Sequence, residues 1–262
     1  MIKHKMGAVL GSVVLAFGLA ACGKSESSSK STSSSSATAT ISGAGSTFAA
    51  PVYEQWGSPS SGSSVKLNYQ AVGSGAGIAS LESKTVDLGA SDPPLKAEET
   101  TLLEKVGPVQ QIPMFFGAIT VSYHLPGVQS GLKLDGKTIA EIFLTKIKTW
   151  NDPKIAALNP GVKLPSTPIT VIHRSDSSGT TAGFTGFLAA VDPEFEKVVG
   201  EAGKEVKWPA GTTGAKGNAG VAGAVEQTEG AVGYVEQAYA LEHHFTYADV
   251  QNKAGKFVQP SL

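Results

Sequence analysis

Apolar residues first gather in one run, residues 7–21 (GAVLGSVVLAFGLAA), then give way to Ser and Thr over residues 23–40 (GKSESSSKSTSSSSATAT), and from Ile41 onward recur in short bursts. The first run is shorter than the roughly 20 residues that cross a bilayer comfortably, and Lys3, His4 and Lys5 precede it, so it reads as an export signal. The Ser-rich stretch cannot bury a core and reads as a tether with an r.m.s. reach of about 20–25 Å. Beyond it, TATIS (38–42), SVKLNYQAV (64–72), TVDLGA (85–90) and TPITVIHR (167–174) read as strands. Helices are expected through Tyr53 and Trp56, over IASLESK, over GTTAGFTGFLAAV, and over DGKTIAEIFLTKIKTW (135–150), where Ile139, Ile142, Phe143 and Ile147 share a face. Pro93 and Pro94 are expected to open a polar helix in SDPPLKAEET. QQIPMFFGAITVSYHL (110–125), the most apolar stretch after the signal, reads as buried strands, and GNAGVAGAVEQTEGAVGYV reads as a small-residue helix followed by a strand. Strand–helix alternation at this spacing predicts an α/β fold with mostly parallel sheets.

The compartment follows from the end of the first run. Cys22 is the only cysteine among 262 residues, and LAAC (Leu19 to Cys22) resembles a bacterial lipobox, whose cysteine is acylated and becomes the new N-terminus. The alternative is an ordinary signal peptide with an incidental cysteine. A lone cysteine in an exported chain excludes an internal disulfide and argues against a thiolate metal site. The chain carries 21 Lys and Arg against 22 Asp and Glu, and removal of residues 1–21 takes away Lys3 and Lys5 but no acid. That balance argues against general nucleic-acid binding, which needs a basic face, and requires any anion site to be local.

Three loops bring in chemistry. GAGSTF (43–48), VGSGAGI (72–78) and SDSSGTTAGF (175–184) each follow an expected strand and lead into an expected helix, and each is built of Gly, Ser and Thr. Such a junction offers free backbone N–H groups, hydroxyls and the positive end of a helix dipole, which suits an oxyanion. One such loop reads equally well as helix capping. The third is directly preceded by Arg174, the only arginine in the chain, and arginine is the residue that grips two oxygens with a planar fork. No nucleotide fingerprint is present: the sixth position of G-x-G-x-x-G is Ile78 in one loop and Phe48 in another, and Lys216 in GTTGAKG has the wrong spacing for a P-loop. Asp92 and Asp176 lie beside the loops. A carboxylate beside an anion repels it unless a proton lies between them; phosphate carries one near neutral pH and sulfate does not. From local sequence alone, Asp92 also reads as a helix cap, and Asp176 as an Asx-turn residue or a salt-bridge partner of Arg174.

GAGSTFAAPVY, YQAVGSGAGI, VDLGASDPPL, KTWNDPKIAALNPGVKLP, HRSDSSGTT, VKWPAG, KGNAGVAGAV and GAVGYVEQAYA, in this order, resemble the phosphate-binding protein of the bacterial high-affinity phosphate ABC importer. The resemblance implies a periplasmic-binding-protein type II fold, two lobes with mixed, mostly parallel sheets and a ligand cleft between them. It implies phosphate contacts from Thr47, Phe48, Ser74, Asp92, Arg174, Ser178, Gly179 and Thr180, with Asp176 orienting the arginine. It implies no cofactor and no catalysis. The implied partners are inorganic phosphate, the permease and ATPase subunits of the importer, and the membrane through a lipid on Cys22. The organisation expected is a signal over 1–21, a tether over 22–40, a first lobe over 41–115 and a second over 116–262. The family continues beyond the segment matching FVQPSL, so a fragment or a binding-impaired surface lipoprotein is the competing expectation, with an exposed sheet edge and apolar surface.

Other classes fit less well. A serine hydrolase would pair Ser178 with His173, but no G-x-S-x-G elbow exists and Arg174 would be idle. His243 and His244 are adjacent, without metal-site spacing, and read as a solvated helix end. Trp56, Trp150 and Trp208 read as core or cleft-edge packing.

Overall fold

The computed structural model describes residues 39–58 and 64–260, so Cys22, the expected signal and almost all of the expected tether lie outside the described residues. Two sheets organise what is described. In the first, strand β1 (Ala39–Gly45) lies between β2 (Val65–Ala71) and β3 (Leu88–Ala90), parallel to both. Helices α1 (Ala50–Trp56), α2 (Ser74–Glu82) and α3 (Ala97–Glu104) follow the three strands in turn. Helix α2 lies against the β1 backbone: a Cβ at Gly77 would collide with Gly45 and the Ala44 carbonyl.

The second sheet has the order β7-β6-β8-β4-β9. Its strands are β4 (Ile119–Tyr123), β6 (Thr170–Arg174), β7 (Thr213–Ala215), β8 (Ala231–Glu236) and β9 (Thr246–Tyr247). Strand β6 runs parallel to β7 and β8, whereas β4 runs antiparallel to β8 and β9. A small third sheet joins β5 (Lys133–Leu134) to β10 (Asp249–Gln251) in parallel and β11 (Phe257–Val258) to β10 in antiparallel fashion. The expected mixed, mostly parallel arrangement is therefore what forms.

The helices around the second sheet begin where the sequence supplies caps. Asp135 accepts the Thr138 N–H at the start of α4 (Gly136–Phe143), Asp152 accepts the Lys154 N–H ahead of α5 (Pro153–Leu158), and Ser178 accepts the Thr181 N–H at the start of α6 (Gly179–Val191). Asp192 accepts the Glu194 N–H and Pro193 opens α7 (Pro193–Val199). Helices α8 (Gly217–Glu226) and α9 (Gln237–Glu242) complete the layer.

The main core lies between the second sheet, α4 and α6. It is built on Ile139, Ile142, Phe143, Trp150, Leu188 and Tyr234, all essentially out of contact with solvent. Trp150 donates its indole N–H to the Gly230 carbonyl at 3.0 Å, so its burial leaves no polar group unpaired. A second cluster packs Ile172 and Val235 against Val221 and Val225 of α8. The first sheet is far more open: β2 is exposed or half-exposed along its whole length.

Three expectations fail here. The helix expected over 135–150 stops at Phe143, and Thr145 just beyond it turns with a φ of 57°, so Ile147 reaches the core from a loop. The apolar stretch 110–125 is not a pair of buried strands: only Ile119–Tyr123 joins a sheet, and residues 108–118 form an irregular crossing between the two sheets. Phe116 is 96% exposed, and Ile112 and Met114 are exposed too, because Pro108 and Pro113 cannot donate to a ladder and the run lacks two-residue alternation. Pro93 and Pro94 do not open α3, which starts four residues after Pro93 at Ala97, with Glu99 accepting the Lys96 N–H at 2.9 Å. The prolines lie instead in a bent lead-in, where Ser91 Oγ and Gln111 Nε2 both donate to the Pro93 carbonyl.

Phe143 packs against Phe184, Trp208 and Tyr234 at ring distances of 4.7–6.0 Å. Phe143→Ala is expected to cost about 3–5 kcal/mol of unfolding free energy, measured by urea titration; a loss below about 1 kcal/mol would place the core elsewhere.

Candidate anion-binding site

The loops that leave β1, β2, β3 and β6 meet at one point. All four strands deliver their C-terminal ends there, the place where open α/β sheets gather ligand-binding groups. Strand β6 ends at Arg174, whose side chain is 1% exposed. Asp176, two residues on, takes Arg174 Nε at 2.7 Å and Nη2 at 2.5 Å, a bidentate grip on one side of the guanidinium. Nη1 remains on the other side and reaches Thr180 Oγ1 at 3.4 Å. The Arg174 backbone N–H donates to the Tyr234 hydroxyl at 3.1 Å, which anchors the strand end to the core.

Ser74 opens α2 and is fully buried; its hydroxyl oxygen accepts the Gly179 N–H at 3.1 Å and the Asp92 N–H at 3.4 Å. The first turn of α6 is thus brought against the first sheet. Only glycine fits at position 179, because a Cβ there would strike both Asp92 Oδ2 and Ser74 Oγ. Gly75 donates its N–H to the Ser177 carbonyl at 3.1 Å, and a Cβ on Gly73 or Gly75 would strike Asp176 or Ser177. Asp92 takes a short hydrogen bond from the Ser46 hydroxyl, and Ser46 in turn accepts the Ala49 N–H. Asp92 is not a helix cap.

Seven of the residues singled out from sequence therefore stand together: Ser74, Asp92, Arg174, Asp176, Gly179 and Thr180 in direct contact, and Thr47 one residue away through Asn218. Phe48 lies with Asp92, Gly179 and Thr180 on the wall of a cavity of about 690 Å3 whose remaining wall is largely apolar. Ser178 departs from the pattern: its hydroxyl oxygen accepts the Thr181 N–H at 3.0 Å and so serves its own helix. The hydrolase pairing does not form, since the His173 ring stacks on Trp208 and its Nδ1 lies 2.9 Å from the Arg174 carbonyl.

Four further residues complete the site without having been singled out from sequence. Asn218, fully buried at the start of α8, bonds to both Thr47 and Thr180. Tyr234 fixes both Arg174 and Thr181, Tyr239 donates to the Thr47 carbonyl at 2.9 Å, and Ser46 holds Asp92. The conspicuous Asn in KGNAG was the one signal available.

The two acids are tuned in opposite directions. Burial pushes the Asp92 carboxyl up, and hydrogen bonds from Ser46 and Thr180 with the charges of Arg174 and Lys204 offset this only in part. Burial acts on Asp176 as well, but the Arg174 bonds, the Gly217 N–H and the guanidinium charge outweigh it and hold that carboxyl below the usual range. Burial also raises Glu236, whose carboxylate Asp92 further disfavours. The cluster thus combines a fixed cation, a helix N-terminus and hydroxyls with an acid, Asp92, that ionises less readily than Asp176. An oxyanion that brings its own proton matches it.

A model of the PBP superfamily domain matches residues 30–261. The phosphate-binding protein PstS of Methanocaldococcus jannaschii is 36% identical over 272 residues, covering 99% of this chain and 70% of that protein. The chain belongs to the phosphate-binding protein family of this superfamily. PstS of Pasteurella multocida is 48% identical over 223 residues, and PstS of Haemophilus influenzae 49% over 225, each covering 84% of this chain. The chain spans 63% and 65% of the length of these two relatives. Among solved structures, a high-affinity periplasmic phosphate-binding protein of the DING type, bound with phosphate, superposes with a TM-score of 0.67 at 22% identity, covering 84% of this chain and 65% of its own. The phosphate-binding protein of Stenotrophomonas maltophilia gives 0.64 at 21% identity, covering 81% and 65%. Both share the fold of the family.

Asp176 lies below its unfolded value, so its contribution to stability is present at neutral pH and is lost as pH falls through the folded value. Asp92 lies above its unfolded value, so it costs stability at neutral pH and the cost fades as pH falls. In thermal melts, Asp176→Asn is expected to lose about 3 kcal/mol at neutral pH, with the gap to the unsubstituted chain narrowing below about pH 4. Asp92→Asn is expected to melt higher at neutral pH. Equal effects of the two substitutions would contradict the opposite tuning.

Proposed function

We propose that this chain binds inorganic phosphate in the cleft between the two sheets, outside the cytoplasmic membrane, and delivers it to the permease of an ABC importer. The observation that carries this reading is Asp92: one proton-sharing acid set among donors, against the guanidinium of Arg174 and the N-terminus of α6. The names of its relatives support the same ligand.

In this reading, Thr47, Ser74 and Thr180 supply hydroxyls and Thr47, Phe48 and Thr180 supply backbone N–H groups, while the Gly179 N–H bonds to Ser74 Oγ and the Ser178 N–H to the Lys204 carbonyl. Arg174 grips phosphate oxygens with the face that Asp176 leaves open. Asp92 accepts the phosphate proton. Sulfate, with no proton to give, meets the Asp92 carboxylate directly and is refused, since an unmatched buried charge costs several kcal/mol. Contacts from both sheets to one small ion let binding energy draw the two sides together, and the closed form is the one presented to the permease. Acylated Cys22, with residues 23–40 as tether, keeps the domain at the membrane; the LAAC motif supports this part. The relatives are named as binding proteins, and the reading involves no bond made or broken in the ligand.

Titration calorimetry of the full chain at neutral pH tests it. Phosphate heat without sulfate heat is expected, and silence with both would overturn the reading. Arg174→Lys keeps the charge but loses the fork and is expected to weaken phosphate binding by about tenfold to hundredfold. Asp92→Asn is expected to admit sulfate; unchanged selectivity would remove Asp92 from its assigned role.

A further inference from the structure

Of the ion pairs among the described residues, one joins the two sheets: Lys204 Nζ, in the loop between α7 and β7, donates to Glu99 Oε1 on α3. The remaining pairs tie residues on the second-sheet side to one another. Both side chains are largely withdrawn from water, Lys204 at 9% exposure and Glu99 at 20%. Glu99 is held at both oxygens, because its Oε2 accepts the Lys96 N–H at 2.9 Å ahead of α3. Burial acts to raise the Glu99 carboxyl, but the Lys204 bond, the Lys96 N–H and the two lysine charges outweigh it and hold it below the usual range. Glu99 is therefore ionised at neutral pH.

Lys204 is committed at its backbone as well. Its carbonyl accepts the Ser178 N–H at 3.0 Å, immediately ahead of α6. The Gly203 N–H donates to Thr185 Oγ1 of α6 at 3.1 Å, and the Ala202 N–H donates to Glu196 Oε1 of α7 at 3.1 Å. The loop is thereby fastened to the second-sheet side, and the lysine side chain is the part that reaches across. Its charge is also felt at Asp92. One residue thus couples α3, the start of α6 and the acid of the anion site. The groove around the pair, of about 340 Å3, is lined by the exposed side chains of Glu98, Glu201 and Glu205, so water reaches both charges once the sheets part.

We propose that Glu99 and Lys204 form a latch between the two sheets that keeps the start of α6 at the anion site and slows release of the bound anion. This rests on the phosphate reading above. Neither residue belongs to the donor set assigned to the anion; both are positioning residues that act through α6. Desolvation offsets most of the attraction within such a pair, so it does not hold the sheets shut by itself. An unpaired charge at this seam, however, costs free energy while the sheets are together and regains its water when they part. Removing one partner therefore favours separation. Electrostatics alone predicts the opposite for Glu99, since taking a negative charge away from an anion site strengthens anion binding.

The test uses the full chain, unsubstituted and Glu99→Gln, with inorganic phosphate at neutral pH. The glutamine carbonyl still accepts the Lys96 N–H, so the start of α3 is kept while the ionic partner of Lys204 is lost. Thermal melts confirm folding, and Glu99→Asp, which keeps the charge but falls one methylene short, supplies the same comparison should the glutamine variant not fold. Calorimetry is expected to show phosphate affinity about tenfold lower, and stopped-flow tryptophan fluorescence release about tenfold faster. Tighter or unchanged phosphate binding overturns the latch. A second readout needs no ligand: spin labels on Glu98→Cys and Glu205→Cys, in a Cys22→Ser background, report the distance across the groove. That distance is expected to lengthen with Glu99→Gln, and an unchanged distance overturns the latch whatever the heats show. Absence of phosphate heat from the unsubstituted chain overturns the phosphate reading alone; the label distances then decide whether the pair holds the two sheets together.

Discussion

A guanidinium almost wholly withdrawn from water must be matched where it stands, and the arrangement of this protein follows from how Arg174 is matched. Asp176 takes one edge of the fork and so fixes the plane of the other. Because the two are only two residues apart, the turn between them is forced, and that turn delivers Ser177, Ser178 and the first turn of α6 to the β2–α2 loop. The same carboxylate holds Gly217, which sets the start of α8 and the position of Asn218. A solitary ion pair thus orders three segments distant in sequence. Such a pair contributes little net stability by itself, since desolvation consumes most of the attraction; its value lies in geometry.

The charge pattern around the pair explains why one site can hold two carboxylates with different tasks. Asp176 is saturated by donors and stays ionised, whereas Asp92 faces the cleft with fewer partners and a raised affinity for a proton. Identical side chains some residues apart are made chemically distinct by the number of N–H groups pointed at each.

Much of this was legible in the chain. Glycine–serine loops after strands named the junctions, and the lone arginine marked the one that mattered. Strands β1, β2 and β6 and helix α6 lie where alternation and capping placed them. The crossing at residues 108–118 was misread because apolar density resembles burial, and only the prolines within it argued otherwise. Helices α5 and α7 escaped notice because each is a six- or seven-residue segment, too short for a periodic signal and started by an Asp-Pro pair that also reads as a turn. Asn218, Tyr234 and Tyr239 act through contacts with residues far away in sequence, which no local pattern records. The family resemblance supplied the expected ligand contacts and Asp176 as the residue orienting Arg174, but not Asn218, Tyr234 or Tyr239.

Part of the seam between the two sheets at the site is glycine laid against facing side chains and main chain: Gly75 against Ser177, Gly73 against Asp176, Gly179 against Ser74 and Asp92. On the glycine side, joining such surfaces freezes no rotamers, since glycine has none to lose. The entropy of bringing these glycines into contact is correspondingly small. A clasp of this kind closes at little cost on its glycine side, and its balance is left to whatever sits in the jaws.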